Sequence, residues 1–293
     1  MIVVRIWEGL GNQLFQYAYA RSLQERLDVP VYLDVRHNNR GDLPFERKDI
    51  VQRKLGLQHF NISMKMIKTN KIADLRCLDG TGVMDKTRYL LLKKHIGKWS
   101  IVDDEAGKCS INADVLSPED YTYISAHCVN KGYFKSYSDI LLKELQLKKG
   151  LRLSDDLKKI IEEKNTVSVH IRLTDYLINP LVDPSAILKQ SYYDKAIQYI
   201  KDKVDNPYFM IFTDDPIMAK NRFQFGDNVY WISKDGYTDY EELILMSKCK
   251  HNIIAFSTFS YWGAWLNQNH GKLIVAPKNL FEGRLHEKEW KMI

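Results

Sequence analysis

The sequence predicts an α/β protein of two domains, each a parallel sheet covered by helices, facing one another across a cleft. Three observations carry this expectation. The chain opens on a β-branched run, two glycines and an apolar pattern at helical spacing. Strand-like runs recur about 20 residues apart through the second half, with helical patterns between them. The length of 293 residues gives room for two medium domains at about 150 residues each.

The first element is a strand at 2–7, broken by Gly9 and Gly11. A helix at 12–27 carries Leu14, Phe15, Ala18, Tyr19, Leu23 and Leu27 on its apolar face, and a second strand follows at 29–35. This βαβ unit belongs in a parallel sheet. From 36 to 150 the pattern is irregular and basic in places, with helical candidates at 45–55 and 86–96 and an apolar, aromatic stretch at 121–137. Polar residues gather at 151–165. Regular alternation then resumes: strand 167–171, helix 191–204, strands 208–213 and 229–232, helix 238–247, strand 251–255, helix 258–267 and strand 273–276. The domain boundary is expected between 150 and 165, giving domains of 1–155 and 156–293.

Composition excludes several classes. Hydrophobic residues are 45% and charged residues 27%, the proportions of a globular chain rather than a disordered or fibrous one. Lys and Arg number 43 against 37 Asp and Glu, an excess that suits a small anion and does not of itself imply nucleic acid. Cys77, Cys109, Cys128 and Cys249 form no CxxC pair and read as reduced, packed thiols. No stretch reaches the roughly 20 apolar residues that cross a bilayer, and the amino-terminal residues lack the features of a signal peptide. The expected compartment is the cytoplasm.

Four constellations can carry chemistry. Gly9-Leu10-Gly11-Asn12-Gln13 joins a strand to a helix, where glycines and free helix amides favour an anion; alone, it reads better as a structural turn. His170-Ile171-Arg172-Leu173-Thr174-Asp175-Tyr176 ends an apolar strand, and in open α/β sheets ligands bind beyond such ends. Arg172 offers a charged planar fork to a diphosphate, while an Arg-Asp pair bracing a loop, with His170 a core histidine, is equally natural. Phe212-Thr213-Asp214-Asp215-Pro216 places a carboxylate that can meet a guanine edge or cap the helix that Pro216 starts. Finally, Ser257, Thr258 and Phe259 open an aromatic helix, where hydroxyls and amides serve either as cap or as phosphate site. Three of the four fall at successive strand ends of one domain and the fourth at the matching loop of the other, which together suit a nucleotide diphosphate. No Asp-x-Asp occurs anywhere in the chain to hold a divalent metal on that diphosphate, so its neutralising cation is expected from the protein, with Arg172 the leading candidate.

GLGNQLFQYAYARSL at 9–23, KGYFKSYSDI at 131–140, HIRLTDY at 170–176, FTDD at 212–215 and SKCKHNIIAFSTFSYWGAWL at 247–266 resemble the motifs of the bacterial α-1,2-fucosyltransferases of glycosyltransferase family 11, over nearly the whole chain. The resemblance implies a GT-B-like fold of two Rossmann-type domains, the first on the acceptor side and the second binding GDP-L-fucose. It further implies inversion at the fucose anomeric carbon and no metal or other cofactor. The family's HxRRxD motif falls on His170, Arg172 and Asp175, with the histidine near the guanine and the arginine on the diphosphate. Leu173 stands where the second arginine would be, so the side chain for a second cationic contact is lacking. Asp215 resembles the guanine-binding acid, Ser257, Thr258 and Phe259 match the phosphate-holding segment, and Gly11, Asn12 and Gln13 match the first-domain loop facing the donor. Glu8 departs from the family's usual glycine; by position Glu8 and Asp175 are the candidates for a catalytic base.

The implied reaction is attack by a galactose 2-hydroxyl on GDP-fucose, with a galactose-terminated glycan or lipid-linked oligosaccharide of the O-antigen kind as acceptor. It would proceed in the cytoplasm, with peripheral contact at the inner face of the cell membrane. His37, Arg40 and Phe45 are candidates for the acceptor side. The alternatives are another GDP-sugar transferase or fucosyl linkage, a dinucleotide-binding oxidoreductase and an anion-binding module without enzymatic activity. The oxidoreductase lacks the full glycine fingerprint. An RNA-binding module would set aromatic residues among basic ones, whereas here they lie mainly in apolar helices and strands.

Overall fold

The structure is a computed structural model and describes residues 1–38, 41–43, 53–67, 72–103, 117–178 and 186–293. The chain divides into two units, Met1–Lys148 and Lys149–Ile293.

In the first unit the strands β1 (Ile2–Arg5), β2 (Val31–Asp34), β3 (Ser100–Asp103) and β4 (Thr122–Ser125) form one sheet in the order β2-β1-β4-β3. Every pairing is parallel. The helix Leu10–Arg26 follows the opening strand as expected and is buried almost all round. Tyr17, on this helix, donates its hydroxyl to Glu144 at 2.5 Å. Val3, Tyr123 and Ile101 pack with Leu75, Leu78, Leu92 and Trp99 into a core. The helix expected at 86–96 runs from Val83 to Lys93. The one expected at 45–55 lies mostly outside the described residues, and 53–56 have no regular structure. Arg40, Phe45 and Cys109 also fall outside them. β3 was not expected from the sequence.

In the second unit β5 (Asn165–Ile171), β6 (Pro207–Thr213), β7 (Val229–Trp231), β8 (His251–Ile253), β9 (Ile274–Ala276) and β10 (Lys291–Met292) form a sheet in the order β10-β9-β8-β5-β6-β7. All pairings are again parallel. Successive side chains of a strand point to opposite faces, and both faces of this sheet are covered. Val167, Val169, Ile171, Phe209 and Ile211 meet Tyr193, Ala196, Ile197 and Ile200 of the helix Gln190–Lys201. Met210 and Phe212 face Leu157, Leu245, Met246 and Cys249 on the other side. Burial raises the Cys249 thiol to about 12, which leaves it protonated and inert at neutral pH. The polar stretch at 151–165 contains a helix, Asp155–Glu163, whose N-cap Ser154 accepts from the Leu157 amide.

The order β8-β5-β6 brings the ends of three strands side by side, and these are the ends that carry the motif residues. The helix Thr258–Trp265 leaves the β8 end and lies close against Asp239–Lys248: a Cβ on Gly263 would come within 3.0 Å of the Met246 Cβ. Glycine at 263 therefore sets how near the two helices lie. Among the described residues no helix is long and apolar enough to cross a membrane.

Candidate active site

The site in the second unit is organised by Asp214, which follows the last residue of β6. Its Oδ1 accepts from the Leu173 amide at 2.9 Å and its Oδ2 from the Thr174 amide at 3.0 Å, across 40 residues of sequence or more. Its Oδ2 also lies 3.5 Å from an Arg172 terminal nitrogen. One carboxylate thus fixes the turn after β5 and aims the guanidinium that leaves it. The Leu173 side chain is fully buried in the core, so this position contributes a backbone N–H to the loop where an arginine would contribute charge.

The same turn is tied to the β8 end. Thr174–Ile178 forms a short helix, and the Tyr176 hydroxyl donates to the Phe256 carbonyl at 2.6 Å, while the Arg172 guanidinium lies 5.9 Å from the Tyr176 ring centre. The His170 ring is nearly buried, at 3% exposure, and sits 5.6 Å from the Phe259 ring. Ser257 caps the helix Thr258–Trp265, its hydroxyl oxygen accepting from the Phe259 amide at 3.2 Å. Residues 170–176, 214 and 256–259 are therefore one connected cluster. The Asp175 side chain lies outside the described residues.

Asp215 caps the helix Pro216–Arg222, accepting from the Met218 amide at 2.9 Å. Of the two adjacent carboxylates, the one that received no role from the sequence, Asp214, makes the long-range contacts. Beyond it, Ser233 accepts from the Thr213 amide at 3.1 Å and donates back to the Thr213 carbonyl at 2.8 Å. Glu242 lies nearby with its carboxyl raised to about 7, chiefly by burial, with the Ser233 hydrogen bond opposing and the Asp239 and Asp214 charges adding.

In the first unit the loop after β1 is held by Gln13, which is fully buried. Its Nε2 donates to the Glu8 carbonyl at 2.7 Å and the Lys54 carbonyl at 2.9 Å, and its Oε1 accepts from the Gly56 amide at 2.9 Å. With both N–H groups and the oxygen engaged by main chain, Gln13 braces the loop. Asn12 donates its side-chain amide to the Glu8 carboxylate, and His127, absent from the candidates, places Nε2 at 3.3 Å from the same carboxylate. Gly9 heads the helix Leu10–Arg26 with no side-chain cap; a Cβ there would meet nothing within 4 Å, so packing makes no demand for glycine at this position. His37 is buried at the end of β2, beside Asp79, and burial lowers its pKa.

The sequence profile of glycosyl transferase family 11 matches residues 1–292. The chain belongs to glycosyl transferase family 11. It is 30% identical to an O-antigen biosynthesis glycosyltransferase, WbnK, of Escherichia coli, over 96% of this chain and 95% of that protein. It is 28% identical to an alpha-1,2-colitosyltransferase of Escherichia coli, over 96% and 93%. Among solved structures, the Arabidopsis thaliana FUT1 mutant R284K in complex with GDP is similar at a TM-score of 0.48 and 15% identity, covering 95% of this chain and 71% of that one. As a family 11 member the chain is a glycosyltransferase.

Proposed function

We propose that this glycosyltransferase moves L-fucose from GDP-β-L-fucose to the 2-hydroxyl of a terminal galactose, with inversion at the anomeric carbon and without a metal ion. The observation that carries the reading is Arg172, held by Asp214 at the carboxyl end of β5 and joined through Tyr176 to the capped helix at 258. A leaving diphosphate gathers negative charge in the transition state, and fixed donors aimed at it are commonly the largest catalytic contribution. Arg172 supplies the cation. Ser257 caps with a lone pair, which keeps its O–H proton for a phosphate oxygen, and Thr258 adds a hydroxyl at the same helix start.

The rings of His170 and Phe259 offer the guanine a flat wall, and Asp215 shares its carboxylate between the helix cap and the guanine N–H groups. Gly11 and Asn12 act from the first unit, to which the acceptor belongs in this reading. The acceptor is a galactose-terminated glycan or lipid-linked oligosaccharide, as the O-antigen relative suggests, met at the inner face of the cell membrane.

The colitosyltransferase relative favours a second reading in which the donor sugar is colitose, fucose without its 3-hydroxyl. An array of galactose-terminated acceptors, offered GDP-fucose and GDP-colitose in parallel with EDTA present, separates the two. The expected product is an α-1,2-fucoside by NMR linkage analysis. Transfer from GDP-colitose alone moves the assignment to the second reading, and activity that appears only after magnesium or manganese is added overturns metal independence.

A further inference from the structure

The loop after β1 keeps a carboxylate in a conformation that its residue type disfavours. Glu8 has φ of 65°, the left-handed region in which a Cβ crowds the neighbouring carbonyl and glycine is at home. What holds the backbone there is main chain: the Glu8 amide donates to the Asn38 carbonyl at 2.6 Å, and the Glu8 carbonyl accepts from Gln13. Glycine would keep both bonds and relax the strain. The side chain at position 8 is therefore not what holds the backbone in this conformation.

Its surroundings say what. The Asn12 amide and His127 Nε2 converge on the same oxygen, Oε2, which fixes the plane of the carboxylate. His127 comes from the segment after β4, the sheet neighbour of β1, and its ring lies 4.5 Å from that of Trp7. The side chains of Glu8 and His127 remain 18% and 12% exposed, so the carboxylate is oriented from within the unit and still reachable from solvent. Backbone strain held by surrounding structure is a mark of functional positions.

We propose that Glu8 is the general base for the incoming sugar hydroxyl and that His127 is its positioning residue, an inference that rests on the glycosyl-transfer reading above. The acceptor oxygen forms its bond to the anomeric carbon with a lone pair. The bond from that carbon to the diphosphate oxygen breaks, and its electron pair leaves with GDP. The hydroxyl proton passes to the Glu8 carboxylate and from there to water.

The test uses the full chain at saturating donor and acceptor, with Glu8→Gly, Glu8→Gln, His127→Ala and the double variant Glu8→Gly/His127→Ala. Glu8→Gly is expected to melt no lower than wild type, because the strain is relieved, while kcat falls at least about 100-fold, the usual contribution of a general base. Glu8→Gln keeps the shape and falls by a similar factor. Added formate restores part of the Glu8→Gly rate and none of the His127→Ala rate. His127→Ala alone lowers kcat about 10-fold with donor KM unchanged, and in the double variant it adds nothing further, as expected of two groups acting as one. An active wild type with an equally active Glu8→Gly overturns the base, and a full additional loss from His127→Ala on that background overturns the positioning role. A wild type that transfers no sugar from either donor overturns the function reading and this inference with it.

Discussion

The loops that follow β1 and β5 solve the same geometric problem with different chemistry. Each leaves the carboxyl end of a parallel strand and turns into a helix, and each is held by one side chain reaching back to main chain. After β1 the holder is a neutral amide, Gln13, fully buried and spent on main-chain groups of the loop and of residues 54–57. After β5 it is a carboxylate, Asp214, which gathers two amides and stands beside a guanidinium. A neutral brace fixes shape alone. An anionic brace fixes shape and also aims a cation, at the cost of partly offsetting that cation's charge.

That contrast yields predictions of decreasing size. Arg172→Ala should lower kcat/KM for GDP-fucose at least about 100-fold, close to 2.7 kcal/mol, with little change in melting temperature; steady-state kinetics on the purified variant reads it. Gln13→Leu should do the reverse. It leaves buried carbonyl and amide groups without partners, a loss of about 2 kcal/mol in urea unfolding, and removes no charge from the second unit. Asp214→Asn sits between the two: it offers one acceptor to two amides and no charge to Arg172. A loss of about 1 kcal/mol in stability and about 10-fold in kcat/KM is expected; a stability loss with no kinetic change would reduce Asp214 to the same role as Gln13.

The smallest effect concerns Glu242. Its carboxyl titrates near 7 in the folded chain against the usual 4.5, so between those values the folded state binds a proton that the unfolded state has lost. Stability from this group is therefore full below pH 4.5 and declines as pH rises to 7. Glu242→Gln should remove that decline, gaining about 1 kcal/mol relative to wild type between pH 4.5 and 7.5 once partial exposure is allowed for. Urea midpoints at both pH values measure it. The Asp214 charge contributes to the shift, so the gain should shrink on an Asp214→Asn background.

The parts of the fold legible in the sequence are those where apolar runs and glycine, aspartate or proline punctuation coincide. β1, the helix Leu10–Arg26, β2 and the alternation from β5 to β9 all satisfy this. β3 was missed because only Ile101 and Val102 of its four residues are apolar, between polar neighbours in an irregular stretch, and β10 because the pair Lys291–Met292 carries no apolar run. The helix Asp155–Glu163 carries Leu157, Ile160 and Ile161 at helical spacing after its Ser154 cap, a signal short enough to be hidden among the charged residues around it.

In the site, local signals were readable and long-range ones were not. The Asp-Pro step announced Asp215 as a cap, whereas the role of Asp214 depends on amides 40 residues or more away. His127 lay in an aromatic stretch with no motif of its own, and only the pairing of β1 with β4 brings its segment beside Glu8. A conspicuous glutamine in a glycine turn looks the same in sequence whether it faces a ligand or the chain, and the main-chain bonds of Gln13 could not be read from it.

In the proposed function the cation aimed by Asp214 holds the diphosphate of a guanine nucleotide. Calorimetric titration of GDP, in the presence of EDTA, into the wild-type chain and into Arg172→Ala tests it most directly. Binding by the wild type and a weakening of at least about 10-fold in the variant, the effect of losing one charged hydrogen-bonding partner, is the predicted result. Equal affinity of the two proteins for GDP would contradict it.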